Sequence, residues 1–408
     1  MSGTETQHIL SGYKVLDFTQ VLAGPTVTRL MAEMGAEIIK VELAPSGDIS
    51  RALPFLKEGR SAYYIQQNRG KKSLCVDARH PKGQEILRKL IKQVDVVVEN
   101  FSPGTIARLG FGYDVVKELN PRVVMCSISA LGQTGPLANV PGYDYIGQAY
   151  AGVTYMIGDP NGPPSFPMLG LGDVSTGVHA YAAIASALLY RERTGKGQYL
   201  DITLLDSYFH CHELNVQLYS GTKGAVQPRR SGSHHYAVSP AGLYKGKTGY
   251  LFILCLEHQW ATLCRAIGRP ELIDDPRFAT NVKRVEHQSE VIEVIEIWIT
   301  AQKNDDEAVR ILQEGRVPVA PVLSIAEAVN HPHLRERRTV RRVTDRVLGE
   351  IDIPGMPLRF SEFPEELPLQ AASLGEHNEE VLSKYLSYTP EQVRQLQAEG
   401  VLKQDLTK

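Results

Sequence analysis

Cysteine is scarce in this chain. Its 408 residues include five, Cys75, Cys126, Cys211, Cys255 and Cys264. The number is odd and no C-x-x-C spacing occurs, which argues against a disulfide framework and a cysteine zinc site. Cys75, Cys126 and Cys255 lie in apolar, strand-like runs, where a free cysteine behaves as a small hydrophobe. A reduced, cytoplasmic protein is the expectation. An excess of one charge is also lacking. Lys and Arg total 44 against 46 Asp and Glu, a net charge of −2, so no global basic field points to nucleic acid. Long apolar runs are absent too. The longest, around Ala180 to Tyr190, falls short of the roughly 20 residues that cross a bilayer, and no membrane partner is expected. The N-terminal "MSGTETQHIL" lacks the basic and apolar regions of a secretory leader, and "QDLTK" carries no lipidation box.

Several nucleotide and hydrolase motifs are missing as well. No G-x-x-x-x-G-K-[ST] occurs, which disfavours a P-loop NTPase, and "TGKGQ" follows a helix where a P-loop precedes one. "GLGDVS" begins like G-x-G-x-x-G but ends in Ser175, and "VLAGPT" lacks that fingerprint, so nicotinamide binding is disfavoured. Glu42 nonetheless sits where such folds place a ribose-binding acid. No G-x-S-x-G elbow is present. "HCH" at 210–212 has no third metal ligand at suggestive spacing. "SHHY" at 233–236 reads as a solvated linker, and "RERRTVRRVTDR" as a solvated strand face.

What the first third does contain is regular alternation. "YKVLDFT", "AEIIKVE", "KSLCVDA", "DVVVENF" and "RVVMCSISA" read as strands separated by amphipathic helices such as "TVTRLMAEMG" and "PKGQEILRKLIKQ". That pattern predicts an α/β fold with a parallel sheet covered on both faces. Ligands in such sheets bind at the strands' carboxyl ends, which directs attention to the loops at 19–25, 77–80, 100–104 and 130–135. Beyond a Gly/Pro-rich stretch come an apolar helix over 176–190 and the strand "YLDITLL". From about residue 236 a hairpin and several helices suggest a smaller α+β domain.

One carboxylate stands out, Asp173 in "LGLGDVSTGVHA". Aspartate is a favoured helix N-cap, and this one precedes a helix. As a cap it would accept backbone N–H bonds at the positive end of the helix dipole and stay ionised. The same geometry would open an ionised carboxylate to a substrate carbonyl, as a nucleophile with backbone donors nearby for the oxyanion. The stretch alone leaves both readings open.

The segments "GYKVLDFTQVLAGPTVTRLMAEMGAEIIKVE", "VDVVVENFSPGTIARLGFGYD", "SISALGQTGP", "PGYDYIGQAYAG", "LGLGDVSTGVHAYAAIASALLYRERTGKGQYLDITLLDS", "VPVAPVLS" and "LGEH" resemble, in that order, the class III CoA-transferases. That family includes formyl-CoA and carnitine CoA-transferases and alpha-methylacyl-CoA racemase. The resemblance implies a large Rossmann-like, CoA-binding domain begun by residues 1–205, a linker at 206–235, a small α+β domain at 236–325, and a return segment, 326–408, that completes the large domain. It further implies an interlocked, ring-like dimer of identical chains, with a hetero-oligomer as the alternative. CoA enters as the acyl-CoA co-substrate beside a carboxylic acid, with no tightly bound cofactor and no metal.

The implied roles carry over residue by residue. Asp173 matches the nucleophile that forms an aspartyl–acyl anhydride and then an aspartyl–CoA thioester. Leu22 and Ala23 match positions lining the pantetheine and thiol end. Val76, Asp77, Ala78 and Arg79, with Asn100, Phe101 and Ser102, match the nucleotide-binding loops. Arg79 and Arg108 would offer guanidinium groups to phosphates. Tyr143 and Asp144 match the segment beside the reacting thioester. Departures also matter. Formyl-CoA transferases carry Gln at the Leu22 position, Arg at Leu43 and Lys at Pro141. The racemases have His where this chain has Tyr143, and racemisation needs an acid and a base across the α-carbon. The leading expectation is transfer of CoA from an acyl-CoA, with succinyl-CoA a candidate, to a free acid. An isomerase and a non-catalytic CoA-binding subunit are the alternatives. Arg229, Arg230 and Lys245 are candidates to meet a second carboxylate of the acceptor.

Overall fold

In the computed structural model, which describes residues 8–407, the apolar runs of the first 205 residues form one parallel sheet. Residues 1–7 and Lys408, on which the leader and lipidation readings bear, lie outside the described residues. The strands are β1 (Lys14–Asp17), β2 (Glu37–Leu43), β3 (Lys71–Val76), β4 (Val96–Glu99), β5 (Val124–Ser129) and β6 (Gln198–Thr203). Their spatial order is β3-β2-β1-β4-β5-β6, and every pair is parallel. Strand order reverses between β1 and β4. At such a switch point a doubly wound sheet leaves a crevice outside its carboxyl ends.

The main helices around this sheet are α1 (Ala23–Glu33), α2 (Ala62–Asn68), α3 (Pro81–Ile91), α4 (Thr105–Arg108), α5 (Asp144–Tyr150), α6 (Leu171–Thr194), α7 (Leu204–Phe209), α8 (Asn378–Leu386) and α9 (Pro390–Ala398). Because strand side chains alternate between faces, the sheet supports two cores. Val15, Ile38, Val96, Val98 and Val124 meet α1 and α6 through Val27, Leu30, Ile184 and Leu188. Leu16, Ile39, Leu74, Val97 and Met125 meet α3, α8 and α9 through Ile86, Leu90, Val381, Leu382 and Leu396. The α6 helix begins five residues before the expected 176, and α2 lies in a stretch whose sequence reads as irregular.

Two compact units emerge. The first comprises, of the described residues, 8–153, Met168–Glu213 and 332–407. Its C-terminal segment is stitched to the sheet edge by polar side chains. Asn378 accepts from the Cys75 N–H at 2.9 Å and donates to the Lys403 carbonyl at 2.8 Å. A fully buried Arg60–Asp345 ion pair, 2.8 Å, adds a second tie.

The second unit, Thr154–Pro167 with Leu214–His331, carries an antiparallel sheet of Ala241–Lys245, Tyr250–Leu254 and Val319–Pro321. Helices Trp260–Ala266, Gln288–Ala301 and Asp305–Glu314 close its core around Leu251, Ile253, Leu263, Ile295 and Leu312. The expected linker at 206–235 is partly helical, containing most of α7 and a helix at Asn215–Gly221. Nor is "SHHY" simply solvated. His234 bridges to Gly242 on the sheet edge, and its ring stands edge-on to Tyr244. Among the described residues no helix is long and apolar enough to cross a membrane.

Candidate active site

Asp173 is not the cap of its helix. Gly170 occupies that position and supplies no side chain, so Asp173 falls in the first turn. The cap comes from elsewhere in the chain. Asp144, the first residue of α5, accepts the Asp173 backbone N–H on its Oδ2 at 3.2 Å. Asp144 is buried, and its Oδ1 accepts from the Tyr208 hydroxyl on α7. Gln148 donates in turn to the Tyr208 oxygen at 3.1 Å. The negative charge that satisfies this helix N-terminus therefore belongs to Asp144, and the Asp173 side chain is left unspent.

Close packing explains the small residues around Asp173. A Cβ on Gly172 would run into the Tyr208 ring and come within 2.7 Å of Asp144 Oδ1. One on Gly177 would lie 2.7 Å from Thr26 Cβ and 2.8 Å from the Ala23 carbonyl. These glycines let α6 approach α1 and α7. They do not clear room for a ligand. Leu22 caps the start of α1, and its Cδ2 lies over Gly170. The start of α6 is thereby held against the β1–α1 loop, at the switch point of the sheet.

The electrostatics follow from that burial. Removal from water, then the nearby Asp144 carboxylate, push the Asp173 pKa up to about 7, because both disfavour a second negative charge. A group capped by backbone N–H bonds would shift the other way. No hydrogen-bond donor among the described residues engages the half-buried Asp173 carboxylate. Sequence reasoning missed one neighbour. Tyr63, in the first turn of α2, has its phenol pushed up to about 12 by burial first, then by Asp173 and Asp48. No motif in the irregular 43–71 stretch marks it.

The other candidates divide into two groups. Leu22, Ala23, Asn100 and Asp144 assemble around Asp173 or the loop beside it. The Asn100 amide clamps that loop, accepting from Gln20 N–H and donating to Gln20 O, each at 2.8 Å. Tyr143 precedes α5 and is 83% exposed, next to Asp144. The remaining positions lie farther out. The turn at 76–79 follows β3, and two strands separate β3 from β4, so the turn and Asn100 stand about 14 Å apart at the usual strand spacing. Val76 and Ala78 point into the core, and half-buried Phe101 packs against it. Neither the Val76 nor the Ala78 side chain faces outward, and the Val76 carbonyl already accepts from Ala44 N–H at 3.1 Å. Asp77 Oδ1 accepts from Arg79 N–H at 2.9 Å and shapes the turn. Arg79, Ser102 and Arg108 are exposed. Arg108 Nη2 donates to Thr105 Oγ1 at 2.7 Å, which folds its guanidinium over the start of α4.

One further expectation changes. Arg230 is not available to an acceptor acid, because its guanidinium donates to the carbonyls of Asp159, Tyr155 and Gly162 and sits over the Tyr155 ring. In "HCH", His212 Nε2 lies 2.8 Å from the Ala151 carbonyl and His210 stands edge-on to His179. Among the described residues no cluster of His, Cys, Asp or Glu is arranged to hold a metal ion.

The half-buried Asp173 carboxylate thus lies against the β1–α1 loop, at the switch point of a doubly wound sheet. The sequence model of CoA-transferase family III matches residues 10–378. The chain belongs to CoA-transferase family III. It is 33% identical to the succinyl-CoA:glutarate CoA-transferase of Mus musculus over 410 residues, covering 100% of this chain and 93% of the relative. It is 35% identical to the formyl-CoA:oxalate CoA-transferase of Streptomyces coelicolor (strain ATCC BAA-471 / A3(2) / M145), over 97% of this chain and 100% of that one. A solved CAIB/BAIF family protein from Brucella suis superposes with a TM-score of 0.81 at 32% identity, covering 93% of this chain and 100% of the other. This family III CoA-transferase is thus an enzyme whose co-substrate is a CoA thioester. Relatives with different acceptors are about equally similar to it, so overall identity does not select the acid.

Proposed function

We propose that the enzyme moves CoA from an acyl-CoA donor to a free carboxylic acid through covalent intermediates on Asp173. The observation that carries this reading is the Asp173 carboxylate itself. It is half-buried, meets no hydrogen-bond donor among the described residues, and lies beside Leu22 and Asp144 at the carboxyl end of the sheet, where doubly wound folds usually take ligands. Its raised pKa leaves much of it ionised at neutral pH and more nucleophilic than an ordinary carboxylate.

The steps balance without ATP. An Asp173 oxygen attacks the thioester carbonyl, the C–S bond breaks, and an aspartyl–acyl anhydride and CoA thiolate form. The thiolate attacks the aspartyl carbonyl of the anhydride and releases the donor acid, leaving an Asp173–CoA thioester. The acceptor carboxylate attacks that thioester, regenerating thiolate and a second anhydride. Thiolate then attacks the acceptor's acyl carbon, which yields the new acyl-CoA and restores Asp173. Both intermediates hydrolyse readily, so the site must exclude water. The apolar packing of α6 on α1 suits that need.

In this reading Leu22 and Ala23 line the thiol end of CoA, and Tyr143 and Asp144 flank the reacting thioester. The backbone of Val76 and Ala78, with Asp77, Asn100, Phe101 and Ser102, holds the nucleotide end, while exposed Arg79 and Arg108 meet its phosphates. Succinyl-CoA is the proposed donor, supported by the murine relative. Racemisation is disfavoured because Tyr143 replaces the histidine base that the racemases carry.

We also assign an interlocked homodimer. Leu171, Val174, Val178 and Leu189 form an exposed stripe on α6, while Ala180, Ile184 and Leu188 face the core. A helix apolar on both sides is one that a second surface covers. The five unpaired cysteines, four of them buried, suit a reducing cytoplasm. An acceptor screen with succinyl-CoA and acetyl-CoA tests the activity. At least one dicarboxylate or aryl-substituted acid gains labelled CoA with wild-type protein and none with Asp173→Ala; an active Asp173→Ala variant removes the mechanism.

A further inference from the structure

The loop between β1 and α1 is held at each of three consecutive residues by a different side chain. Thr19 donates its N–H to Asp17 Oδ1, and its carbonyl accepts from the buried Lys40 ammonium at 2.7 Å. Asn100 brackets Gln20. Val21 N–H donates to Asp48 Oδ1 at 3.3 Å. Val21 has φ 66, the left-handed region that a β-branched residue enters only when its surroundings impose it.

Asp48 is built to impose it. Its side chain is buried, forms a 2.9 Å ion pair with Lys40, and accepts from Ser50 N–H at 2.9 Å. Its own N–H donates to Glu42 at 3.1 Å. Glu42 in turn is fixed by Arg51 at 2.6 Å and by Ser73. The residue after Val21 is Leu22, whose side chain lies over Gly170 at the start of the helix bearing Asp173. Asp48 also belongs to the electrostatic surroundings of Tyr63, together with Asp173.

We propose that Asp48 is a positioning residue for acyl transfer, holding Val21 in its left-handed conformation so that Leu22 and Ala23 are set against the start of α6. The inference rests on Asp173 being the nucleophile. Asp48 touches no reacting atom and acts through the loop. A loop displaced by even an ångström misplaces the thioester relative to the attacking oxygen, and such misplacement costs rate more than affinity.

Glycine adopts a φ near 66 without help, and that supplies a rescue test. Asp48→Ala is expected to lower kcat at least about tenfold while the KM for succinyl-CoA moves less than about threefold. Adding Val21→Gly to Asp48→Ala is expected to restore most of the lost kcat, which a general loss of stability would not allow. Wild-type kcat in Asp48→Ala, or a folded Asp48→Ala whose rate Val21→Gly does not raise, overturns the proposal. If Asp48→Ala fails to fold, Asp48→Leu, which leaves the Lys40–Thr19 bond in place and offers Val21 N–H no acceptor, carries the same comparison. Failure of both to fold overturns it in favour of a purely structural role. Asp173→Ala, run alongside, separates the two levels: its activity would refute the nucleophile, not the grip.

Discussion

At the scale of single residues, two carboxylates divide the labour at one helix end. Asp144 takes the backbone N–H and the Tyr208 hydroxyl, so Asp173 keeps its lone pairs and pays with a pKa near 7. The acyl-CoA half-reaction is therefore predicted to lose kcat/KM about tenfold per pH unit below pH 7. Asp144→Asn keeps a carbonyl acceptor for the helix but removes the repelling charge. Its pH–rate profile is predicted to shift to lower pH, read from initial rates between pH 5 and 9. Stability carries the opposite sign from an ordinary carboxylate. Unfolded, Asp173 titrates near about 3.9. Between that value and 7 the folded chain holds a proton that the unfolded chain has released, so the group's contribution falls as pH rises through this window. Asp173→Asn is predicted to melt a few degrees above wild type at pH 8 and to match it near pH 4, by scanning calorimetry. From sequence, Asp173 was legible as a charged group at a helix start. Its trans-acting cap was not, because Asp144 lies 29 residues away in the chain and only the packing of α5 on α6 brings it close. Lys40 and Asp48 were hidden likewise, since a strand of apolar residues gives no sign that one polar member faces an ion-pair partner.

At the scale of elements, the strands and most helices of the first unit follow directly from periodicity, since the period-two and 3.6-residue patterns there are strong. The misses have physical causes. α6 starts early because "LGLGD" is glycine-rich, a poor helix former by propensity, and tertiary contacts with Leu22 and Tyr208 override that weak preference. α9 was missed although "TPEQ" spells its start: Thr389 accepts from Gln392 N–H, Gln392 reciprocates, and Pro390 opens the helix. The α1–α6 contact yields a prediction. Gly177→Ala places a methyl 2.7 Å from Thr26 Cβ and 2.8 Å from the Ala23 carbonyl. Two packed helices must then separate, at a cost of about 1–3 kcal/mol. A lower urea midpoint would register it. Because Ala23 is in the proposed thiol pocket, kcat should fall as well.

At the scale of the whole molecule, the uncovered apolar stripe on α6 is the feature that a lone chain does not explain. If the proposed homodimer forms through this stripe, wild type sediments as a dimer and Val178→Asp as a monomer, with loss of transferase activity. A monomeric wild type would refute the assigned assembly. The sequence carried a parallel sheet covered on both faces, but the spatial order of its strands came only with the structure. It did not carry the acceptor, because relatives acting on glutarate and oxalate are about equally similar to this chain.

The covalent role of Asp173 is tested most directly by intact-mass spectrometry after brief exposure to succinyl-CoA, with peptide mapping of any adduct. An acyl or CoA adduct on Asp173, released by hydroxylamine and absent from Asp173→Ala, is the predicted result. Label passing from donor to acceptor with no such adduct, or with one on another residue, would contradict the account.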